Sequence, residues 1–278
     1  MTARIFRGRE ELAAVAPDDR GLAYGDGVFE TMRVHRGEVP WWDAHWRRLA
    51  LGASRLQIAL PPARQAREVA RALFDDAGDG VLKLLLSRGA GGRGYAPPAE
   101  SVPTWILSRH PLPRPARGGV SLHWCDVRLA VQPALAGIKH CNRLEQVLAR
   151  AECDRAGADE GLLRDADGYV VSATAANLFV LSGDRWLTPP VDRCGVAGTC
   201  RAALLAPLSA RETSLAKEDV ERADAVFLCN AVRGILPVAR LGARRWPVHP
   251  GVAAAQASLA RLHPGFRLDA PALDDLNT

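Results

Sequence analysis

Gly137-Ile138-Lys139-His140-Cys141-Asn142-Arg143-Leu144-Glu145 is the stretch that decides how this chain reads. Lysine is rare here: of 36 basic side chains, only Lys83, Lys139 and Lys217 are lysines. A guanidinium stays protonated in a protein, whereas a lysine amine can lose its proton and attack a carbonyl. Lys139 stands just before a helix start. Asn142 with Glu145 three residues on has the form of a capping box, and Leu144, Val147, Leu148 and Ala151 follow at helical spacing. A helix N-terminus disfavours positive charge, which helps to lower the pKa of the amine. On these residues alone, an exposed lysine in a loop is the competing reading. Lys217, in Ala216-Lys217-Glu218-Asp219, reads as a solvated helix charge, and Lys83 lies in an apolar strand.

Working outward, the first third mixes strands and helices. Val28 to Val34 reads as a strand, residues 35–38 as a turn, and Val39 as the start of a return strand. Asp43 can cap a helix reaching Gln57, and Pro61-Pro62 opens another reaching Asp76. Val81 to Ser87 and Pro103 to His110 are strand candidates. Residues 113–119, with their prolines and glycines, break periodic structure and are expected to link a domain 1–112 to a larger domain 120–278. The second part shows strands from Val120, Gly161, Tyr169, Asn177, Asp224 and Gly234, a hairpin turn at Asp165 to Gly168, and helices at Gly198-Thr199 and Val252 to Leu262. Hairpins outnumber βαβ units, so the fold class is α+β.

A chain of 278 residues, 48% hydrophobic and 24% charged, is long enough for two modest domains. No signal peptide and no apolar run of ~20 residues is evident, so a cytoplasmic protein without membrane attachment is expected. The six cysteines form no C-x-x-C pair, which argues against zinc, and no metal is expected. A net charge of +5 raises nucleic acid as a partner. The arginines are spread along the chain rather than clustered with aromatics, so a solvated surface or a site for small anions fits better.

Two glycine-rich segments invite phosphate readings. Gly89-Ala90-Gly91-Gly92-Arg93-Gly94 matches G-x-G-x-x-G, but Tyr95-Ala96-Pro97-Pro98 follows and cannot open a helix, which excludes a dinucleotide fold. A loop presenting Arg93 and Tyr95 to a carboxylate is the functional alternative. Gly195-Val196-Ala197-Gly198-Thr199 precedes a helix, where free N–H groups suit phosphate. Arg48 lies at one edge of the apolar face of the first long helix.

Together these segments resemble the fold type IV family of pyridoxal-phosphate enzymes, and within it the aminodeoxychorismate lyases. The matching pieces are Arg20 to Thr31, His45 to Leu49, Ser87 to Tyr95, Ala136 to Glu152, Ala176 to Phe179, Cys194 to Arg201 and Phe227 to Asn230, in family order. The resemblance implies a two-domain fold like that of D-amino-acid aminotransferase, with pyridoxal 5'-phosphate between the domains. It implies that Lys139 bears the cofactor as a Schiff base and moves protons. It places Arg48, Ser172, Val196, Ala197, Gly198, Thr199 and Asn230 around the cofactor, and Tyr24, Thr31, Arg93, Tyr95, Asn142 and Arg143 around a small dianionic substrate. It also implies a homodimer.

One departure stands out. Relatives carry Glu five residues before the Asn of Asn177-Leu178-Phe179, pairing with the pyridine nitrogen; this chain has Ser172. A hydroxyl can only hydrogen-bond there, so the ring draws electrons less strongly unless Asp159 or Glu160 reaches the nitrogen. The expected reaction is conversion of 4-amino-4-deoxychorismate to 4-aminobenzoate and pyruvate, a step of folate biosynthesis. The alternatives are a D-amino-acid or branched-chain aminotransferase of the same fold, or a non-catalytic cofactor-binding relative.

Overall fold

Alternation along one strand organises the first half of the molecule. In the computed structural model, which describes residues 2–114 and 118–267, Val28, Glu30, Met32 and Val34 point to one side of a strand, and Phe29, Thr31 and Arg33 to the other. That strand belongs to a five-stranded sheet: β1 (Thr2–Arg7), β2 (Glu10–Leu12), β3 (Gly27–Val34), β4 (Gly80–Ser87) and β5 (Thr104–His110), in the order β2-β1-β5-β4-β3. A short helix α1 (Arg20–Tyr24) precedes β3; α2 (Trp42–Arg55) and α3 (Ala63–Ala72) separate β3 from β4. Trp42, Leu49 and Ala53 of α2 bury themselves against Val28 and Met32 in one apolar core.

The second sheet has nine strands: β6 (Val120–Leu129), β7 (Glu160–Asp165), β8 (Val170–Ala173), β9 (Asn177–Ser182), β10 (Arg185–Thr188), β11 (Arg211–Glu212), β12 (Ala225–Asn230), β13 (Gly234–Leu241) and β14 (Arg244–Arg245). The helices α4 (Leu144–Ala156), α5 (Thr199–Leu205), α6 (Lys217–Arg222) and α7 (Pro250–Leu262) pack around it. Strands β9 and β12 are apolar along nearly their whole length, as strands covered on both faces must be. The segment expected as a linker runs between β5 and β6, and its residues 115–117 lie outside the described residues.

Two sequence expectations are corrected. Val39 starts no strand: His35 and Glu38 form one isolated bridge, and the chain turns straight into α2. The capping box does not form. Arg143 is the residue before α4, Asn142 instead donates from Nδ2 to Gly25 O at 3.3 Å, and Glu145 Oε1 accepts from Ala130 N at 2.8 Å. The apolar stripe of α4 faces outward, with Leu144 77% and Leu148 58% exposed; Ala149 and Cys153 are the residues that meet the sheet. Among the described residues no helix is long and apolar enough to cross a membrane, and no His, Cys, Asp and Glu cluster could hold a metal.

Candidate active site

The lysine segment is a strut between the two sheets. Phe29 N donates to Lys139 O and Cys141 N to Gly27 O, both at 2.9 Å, which ties the segment to β3. On its other side Gly137 N donates to Gly195 O at 3.0 Å, and Ala197 N to Gly137 O at 2.9 Å. Gly137 takes φ +79°, a left-handed conformation that glycine adopts without strain. Ile138 is fully buried, so its neighbour Lys139 is aimed the other way, into a cavity of about 650 Å³.

Lys139 Nζ lies 4.3 Å from the centre of the Phe29 ring. Burial pushes its ammonium down to about 7, and the Arg48 charge adds to the shift against a weaker opposing pull from Glu30. Near neutral pH a substantial share of this amine is therefore unprotonated and nucleophilic.

Arg48 leaves α2 beside buried Leu49 and reaches the same cavity. Its Nη1 donates to Ala197 O at 3.0 Å. Its other edge is gripped by Glu30, with Nε to Oε1 at 2.8 Å and Nη2 to Oε2 at 2.5 Å. Glu30 also meets His45 Nδ1 at 2.6 Å. Burial works to raise the Glu30 carboxyl, but Arg48 and His45 outweigh it and hold it below the usual carboxylate range. Burial lowers His45, which Glu30 only partly offsets, so His45 is neutral at pH 7.

Opposite Lys139, α5 begins at Gly198 without a side-chain cap. The first helical bond runs from Ala202 N to Gly198 O, so the N–H groups of Thr199 and Cys200 precede the ladder. Thr199 Oγ1 is buried without a hydrogen-bond partner among the described residues, and its side chain lines the cavity. A Cβ at 198 would stand 2.0 Å from Asn177 Oδ1, so a larger residue must displace the Asn177 amide from its bond to Val196 O.

The structure brings Arg48, Lys139, Thr31, Arg143, Ser172, Val196, Gly198, Thr199 and Asn230 to one cavity, with Ala197 bonded to Arg48 at its wall. Two of these are engaged elsewhere. Ala197 donates its N–H to Gly137, and Asn230 uses Oδ1 on the N–H groups of Val232 and Arg233, and Nδ2 on Ala175 O. Four expected substrate residues are placed outside the cavity. Tyr24, Tyr95 and Asn142 line a separate cleft of about 290 Å³ with Arg20, Asp26 and Arg88, and Arg93 is exposed in the glycine-rich loop. Arg20 holds that loop through the carbonyls of Gly94 and Tyr95, both at 3.0 Å, and Gly94 N donates to Tyr24 Oη at 2.9 Å. Of the two spare acids, Asp159 caps Ser121, whereas Glu160 lines the cavity.

Sequence reasoning missed Glu30 and Arg233 as site residues. Glu30 had a signal, an acid on the inward, otherwise apolar face of an alternating strand. Arg233 had none, since only the turn between β12 and β13 brings it to the cavity.

Against known proteins, residues 27–241 match the family model for amino-transferase class IV. The chain belongs to that family. It is 36% identical over 235 residues to the aminodeoxychorismate lyase of Vibrio harveyi, covering 81% of this chain and 86% of that one. It is 28% identical over 248 residues to the D-alanine aminotransferase of Bacillus licheniformis, covering 84% and 86%. The crystal structure of 4-amino-4-deoxychorismate lyase from Pseudomonas aeruginosa superposes with a TM-score of 0.85 at 42% identity, over 92% of this chain and 98% of that one. The sheet arrangement described above is thus the fold type IV architecture.

Proposed function

We propose that this chain is a pyridoxal-phosphate-dependent lyase that converts 4-amino-4-deoxychorismate to 4-aminobenzoate and pyruvate. The observation that carries the reading is the buried amine of Lys139, with its pKa near 7, facing an unpartnered Thr199 hydroxyl across a cation-rich cavity. These residues fit pyridoxal phosphate. Arg48, Thr199 Oγ1 and the first N–H groups of α5 would hold the phosphate, and Lys139 would hold the aldehyde. The bound coenzyme supplies an electron-withdrawing ring that stabilises negative charge on the carbon bearing the substrate nitrogen. The Lys139 amine would serve as the base for the proton on that carbon. Phe29 beside the amine restricts water there, and Glu30 keeps Arg48 aimed.

Ser172 favours the lyase over the aminotransferase, because Glu160, the carboxylate that lines the cavity, is turned to the Thr174 hydroxyl and to Arg233. Its side chain lines the cavity and makes no hydrogen bond to a carboxylate among the described residues. Elimination that makes an aromatic ring is strongly downhill and tolerates a weak electron sink. Transamination must hold the negative charge long enough to reprotonate the cofactor carbon. Supplying the holoprotein with 4-amino-4-deoxychorismate should yield equal amounts of 4-aminobenzoate and pyruvate. Absence of 4-aminobenzoate, with pyruvate formed from D-alanine while 2-oxoglutarate takes up the amino group, would establish the aminotransferase reading. Ser172→Glu is expected to raise half-transamination of D-alanine about tenfold, equivalent to ~1.4 kcal/mol of transition-state stabilisation. Pyridoxamine-phosphate formation reports it, and an unchanged rate counts against the role given to Ser172.

The outward stripe of α4 supports a second copy of this chain as partner. Val147 is both 59% exposed and part of the cavity wall, so Leu144, Val147 and Leu148 form an apolar face continuous with the site. Leu148→Asp is expected to shift the protein from dimer to monomer in sedimentation. A monomeric parent protein would remove the proposal.

A further inference from the structure

The cations of the cavity are not equivalent. Five basic side chains line it, namely Arg48, Lys139, Arg143, Arg150 and Arg233, against one carboxylate, Glu160. Arg48 is matched by Glu30. Arg150 is held by Asp154 at 2.7 Å and by the carbonyls of Ala158 and Asp159. Arg143 donates from Nε to His140 O at 2.8 Å and has no carboxylate partner among the described residues.

Arg233 is the loosest of the five. Its Nη1 stands 3.6 Å from Glu160 Oε1, beyond hydrogen-bond distance. Its guanidinium makes no hydrogen bond to any described group, and a quarter of the side chain is exposed. Its backbone is fixed, because Asn230 Oδ1 accepts the Arg233 N–H at 2.7 Å. Glu160 is fixed as well: it is 4% exposed, and its Oε2 accepts from the Thr174 hydroxyl. A rigid carboxylate thus faces an arginine whose fork of donors is unfilled. That arrangement holds a guanidinium in place without satisfying it.

We infer that Arg233 is a specificity residue that binds one carboxylate of a dicarboxylate substrate, with Glu160 as its internal stand-in when the site is empty. Arg143 takes the second carboxylate. The inference rests on the lyase reading and deepens it. With Arg48 and Thr199 assigned to phosphate, the two arginines that hydrogen-bond no carboxylate match an amine bearing two carboxylates. An ordinary amino acid, with one, would leave a cation unmatched. Within one chain Arg143 and Arg233 lie in the cavity itself, whereas Arg93 and Tyr95 do not.

The test uses the protein loaded with pyridoxal phosphate, titrated calorimetrically with 3-(carboxymethoxy)benzoate and, as monocarboxylate control, 3-methoxybenzoate. The parent protein should prefer the dicarboxylate by about tenfold or more, the worth of one charge-assisted bidentate contact. Arg233→Met should abolish that preference and leave the monocarboxylate affinity unchanged. Glu160→Gln, which keeps the acceptor for Thr174 but removes the competing charge, should tighten the dicarboxylate severalfold. A merely structural Glu160–Arg233 pair would make both variants weaker. That result, or a preference intact in Arg233→Met, overturns the inference. With the natural substrate, Arg233→Met should raise KM and spare kcat. Failure of the loaded parent protein to release 4-aminobenzoate would defeat the lyase reading alone, since the titration does not depend on turnover.

Discussion

Lys139→Met is expected to lower turnover by at least about three orders of magnitude and to leave the fold intact, because it removes the nucleophile and fills its space. Borohydride reduction of the loaded parent protein should place the label on the peptide containing Lys139. Label on Lys83 or Lys217 would overturn the assignment. Lys83 is the sharper competitor, since its Nζ lies 5.6 Å from the same Phe29 ring, whereas Lys217 is half-buried away from the cavity and paired with Glu221 at 3.6 Å. The same substitution should stabilise the protein without cofactor. The folded amine titrates at about 7 against the usual 10.5, so the unfolded chain binds the extra proton between those values. The buried ammonium therefore costs most below pH 7, at roughly 5 kcal/mol as an upper bound, and the cost fades as pH rises toward 10.5. Denaturant midpoints of cofactor-free protein should separate parent and variant at pH 6 and bring them together near pH 10. Equal midpoints at pH 6 would mean that the amine is not buried.

The sequence was most legible where a residue type was out of character. One lysine amid arginines points to a site by its own chemistry, whereas Gly198 and Thr31 are assigned to it only through the family resemblance; all three line the cavity. Local pattern failed where long-range packing decided the outcome. Asn142 and Glu145 have the letters of a capping box, but Gly25 and Ala130 offer partners from other segments, and these prevail. Leu144, Val147 and Leu148 have core-like spacing and face outward, because the sheet side of α4 is filled by the small residues Ala149 and Cys153. The loop of Arg93 and Tyr95 is held by Arg20 over a neighbouring cleft of the same chain, a placement no local pattern reports. Arg233 and Glu160 are 73 residues apart, and no periodicity reports such a pair.

Glu30→Gln is expected to destabilise the protein by about 3–5 kcal/mol, the range for breaking a buried ion pair from one side. Glu30 is 1% exposed and serves both Arg48 and His45, so no water can take its place. His45 is neutral at pH 7 and donates to Glu30, which leaves Arg48 as the cation that loses its partner. The sign of the pH dependence follows from the lowered carboxyl. Its contribution is complete above the unfolded carboxyl pKa of about 4.3 and is lost as pH falls through the lower folded value. The gap between parent and variant in urea midpoint should therefore be wide at pH 7 and should narrow steadily in acid. A gap that stays constant down to pH 3 would mean that shape at position 30, not charge, holds the site. Because Glu30 faces α2 while Phe29 and Thr31 face the cavity, the carboxylate acts on the phosphate side of the site through Arg48 and on Lys139 only by a weak charge effect. Affinity for pyridoxal phosphate should fall with stability in Glu30→Gln, whereas the label on Lys139 after reduction should keep its position. One acid behind the wall thereby sets where the phosphate can bind, and the lysine in front of it sets what the aldehyde can do.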